Sequence, residues 1–120
     1  MTAALRLDSA CAAIGDPTRR RILDYLRGGE RSAGDLAEQF PISRPAVSRH
    51  LRVLREAALV AERREGKHRI YRLEPAPLAV LDEWLASYRT FWAARLTDLK
   101  QLVESRASES RASESPKREA

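Results

Sequence analysis

Apolar residues recur at helical spacing along most of the chain, and the breaks between them carry residues that start or stop helices. Leu5, Leu7, Cys11 and Ile14 mark a weakly amphipathic helix over 3–14 that closes at Gly15. Asp16 then predicts an N-cap, Pro17 the first position of a second helix, and Ile22, Leu23 and Leu26 its buried stripe, ended by Gly28-Gly29. Ser32 with Asp35 resembles a capping box, and Leu36, Ala37 and Phe40 give a short third helix over 33–39. After Phe40-Pro41-Ile42, Ser43 caps a fourth helix over 44–57 with Pro45 in its first turn, where proline is tolerated. Val47, Leu51, Leu54 and Ala58 fall within a narrow arc of that helix, while Pro45, Ser48, Arg49, Arg52 and Glu56 point away or lie on its flank.

Two helices separated by so short a break form a helix-turn-helix. Residues 60–64 and 68–73 alternate as two strands around Glu65-Gly66-Lys67, where Gly66 supplies the positive φ of a tight hairpin. The expected fold is therefore mainly α with a small β-hairpin: a winged helix-turn-helix of four helices, two strands and a fifth helix. Beyond Pro75 and Pro77 that last helix runs to about residue 104, with Leu81, Leu85, Tyr88, Trp92, Leu96, Leu99 and Val103 forming one long stripe. Trp84 and Phe91 widen it beyond what one small domain covers, which predicts a homodimer through this helix. Residues 105–109 and 110–114 repeat Ser-Arg-Ala-Ser-Glu, so 1–104 is read as one domain and 105–120 as a disordered, low-complexity tail.

Charge sharpens this picture because it is localised. The chain carries +5 overall, but residues 43–73 hold nine Lys and Arg against three Glu, and the remainder is slightly acidic. A surplus confined to the fourth helix and the hairpin predicts contact with the phosphates of double-stranded DNA. A helix fits the major groove, so Ser43, Arg44, Pro45, Ser48 and Arg49 are the expected base-reading and positioning residues, with Arg49, or after it Arg44, donating to guanine. Arg52 is a further expected DNA-binding residue of the fourth helix, and the wing residues Arg63, Arg64, Lys67 and Arg69 are placed along phosphates or the minor groove. His50 reads as a packed or phosphate-contacting residue, since it lacks the partners that catalysis or metal binding requires.

Other classes lack parts. No Gly-rich phosphate loop or nucleophile–base pair supports an enzyme, and the recognition face lacks aromatics for stacking on unpaired RNA bases. A module binding a protein partner in place of DNA is the alternative, opposed by Arg44, Arg49 and Arg52. The single cysteine, Cys11, excludes an intramolecular disulfide and is read as a small apolar core residue in a cytoplasmic protein. Arg6 and Asp8 interrupt the N-terminus, so neither a signal peptide nor a membrane span is expected.

Three motifs, 15–23 (Gly-Asp-Pro-Thr-Arg-Arg-Arg-Ile-Leu), 43–54 (Ser-Arg-Pro-Ala-Val-Ser-Arg-His-Leu-Arg-Val-Leu) and Ala58-Leu59-Val60 with Arg63-Arg64-Glu65-Gly66, together resemble the ArsR/SmtB family of bacterial winged-helix repressors over roughly residues 10–103. The resemblance implies a homodimer built on the first and last helices, with Leu5 joining Leu81, Leu85, Tyr88, Trp92, Leu96 and Leu99 in the seam. It also implies two recognition helices in successive major grooves of an inverted repeat, and repression by blocking a promoter. Metal-sensing members carry cysteines on the helix before the recognition helix, or acidic and histidine ligands on the last one. Here Ser32–Phe40 has no Cys, and the last helix offers Asp82, Glu83 and Asp98 but no His, so no metal or other cofactor is expected. Residues 78–92 resemble members without metal sites; the inducer is left open.

Overall fold

Four helices in this chain begin the same way: a short polar side chain sits just before the first turn and accepts a hydrogen bond from a backbone N–H left without a helical partner. In the computed structural model, which describes residues 2–114, these are α1 (Ala3–Ile14, capped by Thr2), α2 (Pro17–Arg27, Asp16), α3 (Ala33–Gln39, Ser32) and α4 (Arg44–Glu56, Ser43). The cap distances run from 3.0 Å for Arg19 N to Asp16 Oδ2 to 3.3 Å for Ala46 N to Ser43 Oγ. Pro17 and Pro45 both fall in first turns. These four helices match the sequence reading closely in order and extent.

Three strands form an antiparallel sheet in the order β1-β3-β2. The hairpin of β2 (Val60–Glu65) and β3 (His68–Leu73) turns at Gly66, whose φ of +62° is the left-handed geometry the turn requires. β1 (Arg31–Ser32) pairs with β3, Arg31 opposite Tyr71, and was not anticipated; two residues are too few to show a period of two. Ile22, Leu36, Leu54 and Leu59 are the largest fully buried side chains, and the surrounding core draws on α1 to α4, β2 and β3. Among the described residues no polar or charged residue is buried.

Several expectations need correction. Ala58 is not on the apolar stripe of α4 but exposed beyond its end, at φ 60°. There it closes the helix: its N–H reaches Arg55 O at 2.9 Å while Leu59 N–H reaches Leu54 O at 3.0 Å, a pairing that satisfies two terminal carbonyls through a left-handed residue. Gly15, by contrast, closes α1 in a right-handed conformation, with φ −65°. The carbonyls there are held from outside, by Arg19 reaching Ala13 O at 2.6 Å and Ala12 O at 3.1 Å. Cys11 is exposed, because the buried face of α1 is formed by Ala10 and Ala13.

The last helix, α5 (Ala76–Glu114), continues through 105–114, where a disordered tail was expected. Its repeat contains Arg, Ala and Glu and meets no Gly or Pro before Pro116, so nothing in it stops a helix. Residues 115–120 of that predicted tail lie outside the described residues. The chain divides into two units, one up to Glu83 and one from Trp84 onward. Leu81, expected in the dimer seam, is 9% exposed and belongs to the first unit's interior. In the second unit, Leu85, Tyr88, Trp92, Leu96 and Leu99 are all exposed, along with Trp84, Phe91, Leu102 and Val103. Trp84 and Tyr88 pack ring to ring at 4.9 Å. Leu5 on α1 is exposed as well.

Candidate nucleic-acid interface

α4 has two unlike sides. Val47, Leu51 and Leu54 anchor it in the core, and the opposite surface carries Arg44, Pro45, Ser48, Arg49 and Arg52, all exposed. Among the described residues, the side chains of Arg44, Arg49 and Arg52 have no hydrogen bond or ion pair within the protein. Their guanidiniums are therefore available, five N–H donors each in a planar fork suited to phosphate or a guanine edge. Ser43 remains exposed although its Oγ is used as the cap.

The wing is different. Arg64 and Lys67 sit exposed near its tip without a partner among the described residues, but Arg63 is held by Glu30, from the loop after α2, and by Glu65 at 3.1 Å. The Glu30 carboxylate, more than any other neighbour, makes that guanidinium still harder to deprotonate. Arg69 lies 3.7 Å from Glu62, whose carboxylate also pairs with Arg55 of α4, and Arg72 pairs with Glu74 at 2.9 Å. Arg69 also joins Arg44 and Ser48 around a crevice of about 190 Å³ between α3, α4 and β3.

His50 departs from the expected surface. Its ring is half-buried on the α2 side of α4, with Nδ1 3.4 Å from Arg19 Nη1 and 3.9 Å from Asp16 Oδ2. Asp16 is held below the usual carboxylate range, first by the Arg19 backbone N–H it accepts as a cap and further by the His50 and Arg19 charges. The packed reading of His50 describes it better than a phosphate contact.

Sequence reasoning thus found the free cations of α4 and the wing tip but missed the carboxylates Glu30, which holds Arg63, and Glu62, which holds Arg55 and Arg69. Glu30 and Arg63 lie 33 positions apart, beyond any local pattern. A signal existed for Glu62: it takes an inward position in the strand alternation, where an apolar residue is expected.

Known proteins are similar to this chain in sequence and fold. A family model described as a helix-turn-helix domain matches residues 14–63. The HTH-type transcriptional regulator Rv2034 of Mycobacterium tuberculosis is 45% identical over 98 residues, 82% of this chain and 89% of that protein. The transcriptional repressor SdpR of Bacillus subtilis is 40% identical over 82 residues, 68% of this chain and 91% of that protein. Among solved structures, an ArsR-like transcriptional regulator from Rhodococcus sp. RHA1 superposes with a TM-score of 0.65 at 34% identity, covering 82% of this chain and 93% of that one. A winged helix whose recognition helix turns free arginines outward, with these relatives covered almost end to end, leads to one assignment: the chain belongs to the ArsR/SmtB family of helix-turn-helix transcriptional regulators.

Proposed function

We propose that this regulator is a repressor acting as a homodimer on an inverted-repeat operator. The observation that carries the reading is the unpaired set Arg44, Arg49 and Arg52 on the face of α4 opposite Val47, Leu51 and Leu54. A major groove about 12 Å wide admits α4, whose N-terminal half brings Ser43, Arg44, Pro45, Ser48 and Arg49 to the bases. Arg49 donates to guanine O6 and N7; Arg52, Arg64 and Lys67 neutralise phosphates, with Arg63 as a secondary contact, while Arg69, paired with Glu62, is not counted among them. Exposed apolar residues of α5 from Leu85 onward, with Leu5 of α1, supply the seam between two copies, placing half-site centres about 34–36 Å apart.

A metal response is not part of this reading, because residues 32–40 carry no Cys and α5 carries no His. A soft metal needs thiolate or imidazole donors together. The regulation we propose is therefore not metal-responsive.

Selection of bound sequences from random duplex DNA tests this reading, followed by shift assays across salt. A palindromic product and a binding constant falling steeply with salt are expected. Binding indifferent to both sequence and salt would overturn it.

A further inference from the structure

Glu62 of β2 stands opposite Tyr71 of β3, so both side chains leave the same face of the hairpin, the face Tyr71 turns into the core. Its carboxylate reaches two guanidiniums on different elements: Arg55 in the last turn of α4 through Oε2, and Arg69 of β3 through Oε1 at 3.7 Å. The Glu62 side chain is 17% exposed, against 47% for Arg55 and 53% for Arg69, so one sheltered anion holds two cations that still face outward. Burial, and after it the Glu62 charge, pushes the Tyr71 hydroxyl's ionisation up, in keeping with an anion retained beside the core.

A carboxylate in this position opposes phosphate binding twice, by its own charge and by occupying two arginines. Arg69 shares its crevice with Arg44 and Ser48, so the neutralised charge lies next to the free donors of α4. Sequence-independent affinity comes almost wholly from such cation–phosphate contacts, whereas discrimination comes from the base edges. We propose that Glu62 is a specificity-setting positioning residue. It withholds Arg55 and Arg69 from phosphates, which lowers non-specific affinity, and it ties the wing to α4 so that both approach DNA at one angle. This inference rests on reading the chain as a duplex-DNA binder.

The experiment uses the full chain as wild type, Glu62→Gln, Arg69→Gln and the double variant, each titrated against a selected operator duplex and a scrambled duplex over a range of salt. Each neutralised phosphate adds about 0.9 to the salt slope, so Glu62→Gln is expected to steepen it by about 1–2 and to tighten scrambled-duplex binding on the order of tenfold. The ratio of operator to scrambled affinity should narrow. Arg69→Gln alone should leave the slope nearly unchanged, yet remove much of the gain in the Glu62→Gln background. An unchanged slope and ratio in a folded Glu62→Gln protein overturns the proposal. So does Arg69→Gln alone flattening the slope by a full phosphate, an outcome that decides the matter even if Glu62→Gln does not fold. Wild-type binding that ignores salt on both duplexes overturns the DNA-binding reading itself, and this proposal with it.

Discussion

α4 and α5 are both built on an apolar stripe, but only one stripe is covered by the chain that carries it. In α4, Val47, Leu51 and Leu54 are buried, and the other side is left to charge. In α5 the stripe is buried at Leu81 and then exposed from Leu85 to Val103, with Phe91 at 61% and Leu96 at 60%. The same helical periodicity therefore signals two different things: a completed contact within one chain, and a surface that solvent alone leaves unfavourably wet. On this view, a second copy of the chain finishes α5 as the winged core finishes α4.

The largest expected effect lies on the uncovered stripe. Placing a charge there with Leu96→Glu should convert the proposed dimer to monomers in sedimentation, and separating two half-site readers should weaken operator binding by about 10²–10⁴. A protein that stays dimeric would break the comparison, since the exposed stripe would then not be the seam. Next comes the buried side. Leu54→Ala should destabilise the fold by about 2–5 kcal/mol in denaturant titrations, because the lost contacts leave a cavity. Leu102→Ala, half exposed, should cost less, and its cost should change with protein concentration if α5 is covered by a partner.

The charged face of α4 sharpens the contrast further. Arg49→Ala should erase about 1–3 kcal/mol of discrimination at one base pair across a panel of operator variants. Arg64→Ala on the wing should weaken all sequences alike and reduce the salt slope by about 1. The smallest effect belongs to the end of α4. Ala58 holds a left-handed conformation that a Cβ disfavours, so Ala58→Gly should raise stability by about 0.5–1 kcal/mol in thermal unfolding, with DNA recognition unchanged.

The fold was legible wherever one side chain dictates one local geometry. Asp16, Ser32 and Ser43 announced helix starts, Gly66 announced the turn, and the stripe of α4 announced its buried face. What escaped was decided by residues distant in sequence. β1 exists only because β3 passes beside Arg31 and Ser32. Ala58 looked like a stripe residue because helical spacing continues through it, yet the chain reverses handedness there. Cys11 looked apolar enough to bury, but Ala10 and Ala13 already fill that side of α1. At the interface, counting charge by segment located the cations and could not tell free from held, because that depends on Glu30 and Glu62 across the fold. The tail was misread over 105–114 because low complexity was taken to outweigh helix-forming residues.

The reversal at Ala58 also shapes how the protein meets its target. Only Ala57, Ala58 and Leu59 separate the last turn of α4 from β2, and all three backbone N–H groups are already spent on carbonyls of that turn. The join has little slack, so the hairpin inherits its heading from the helix before it. Whatever aligns the reading element with a groove aims the gripping element too, like a blade and guard forged in one piece.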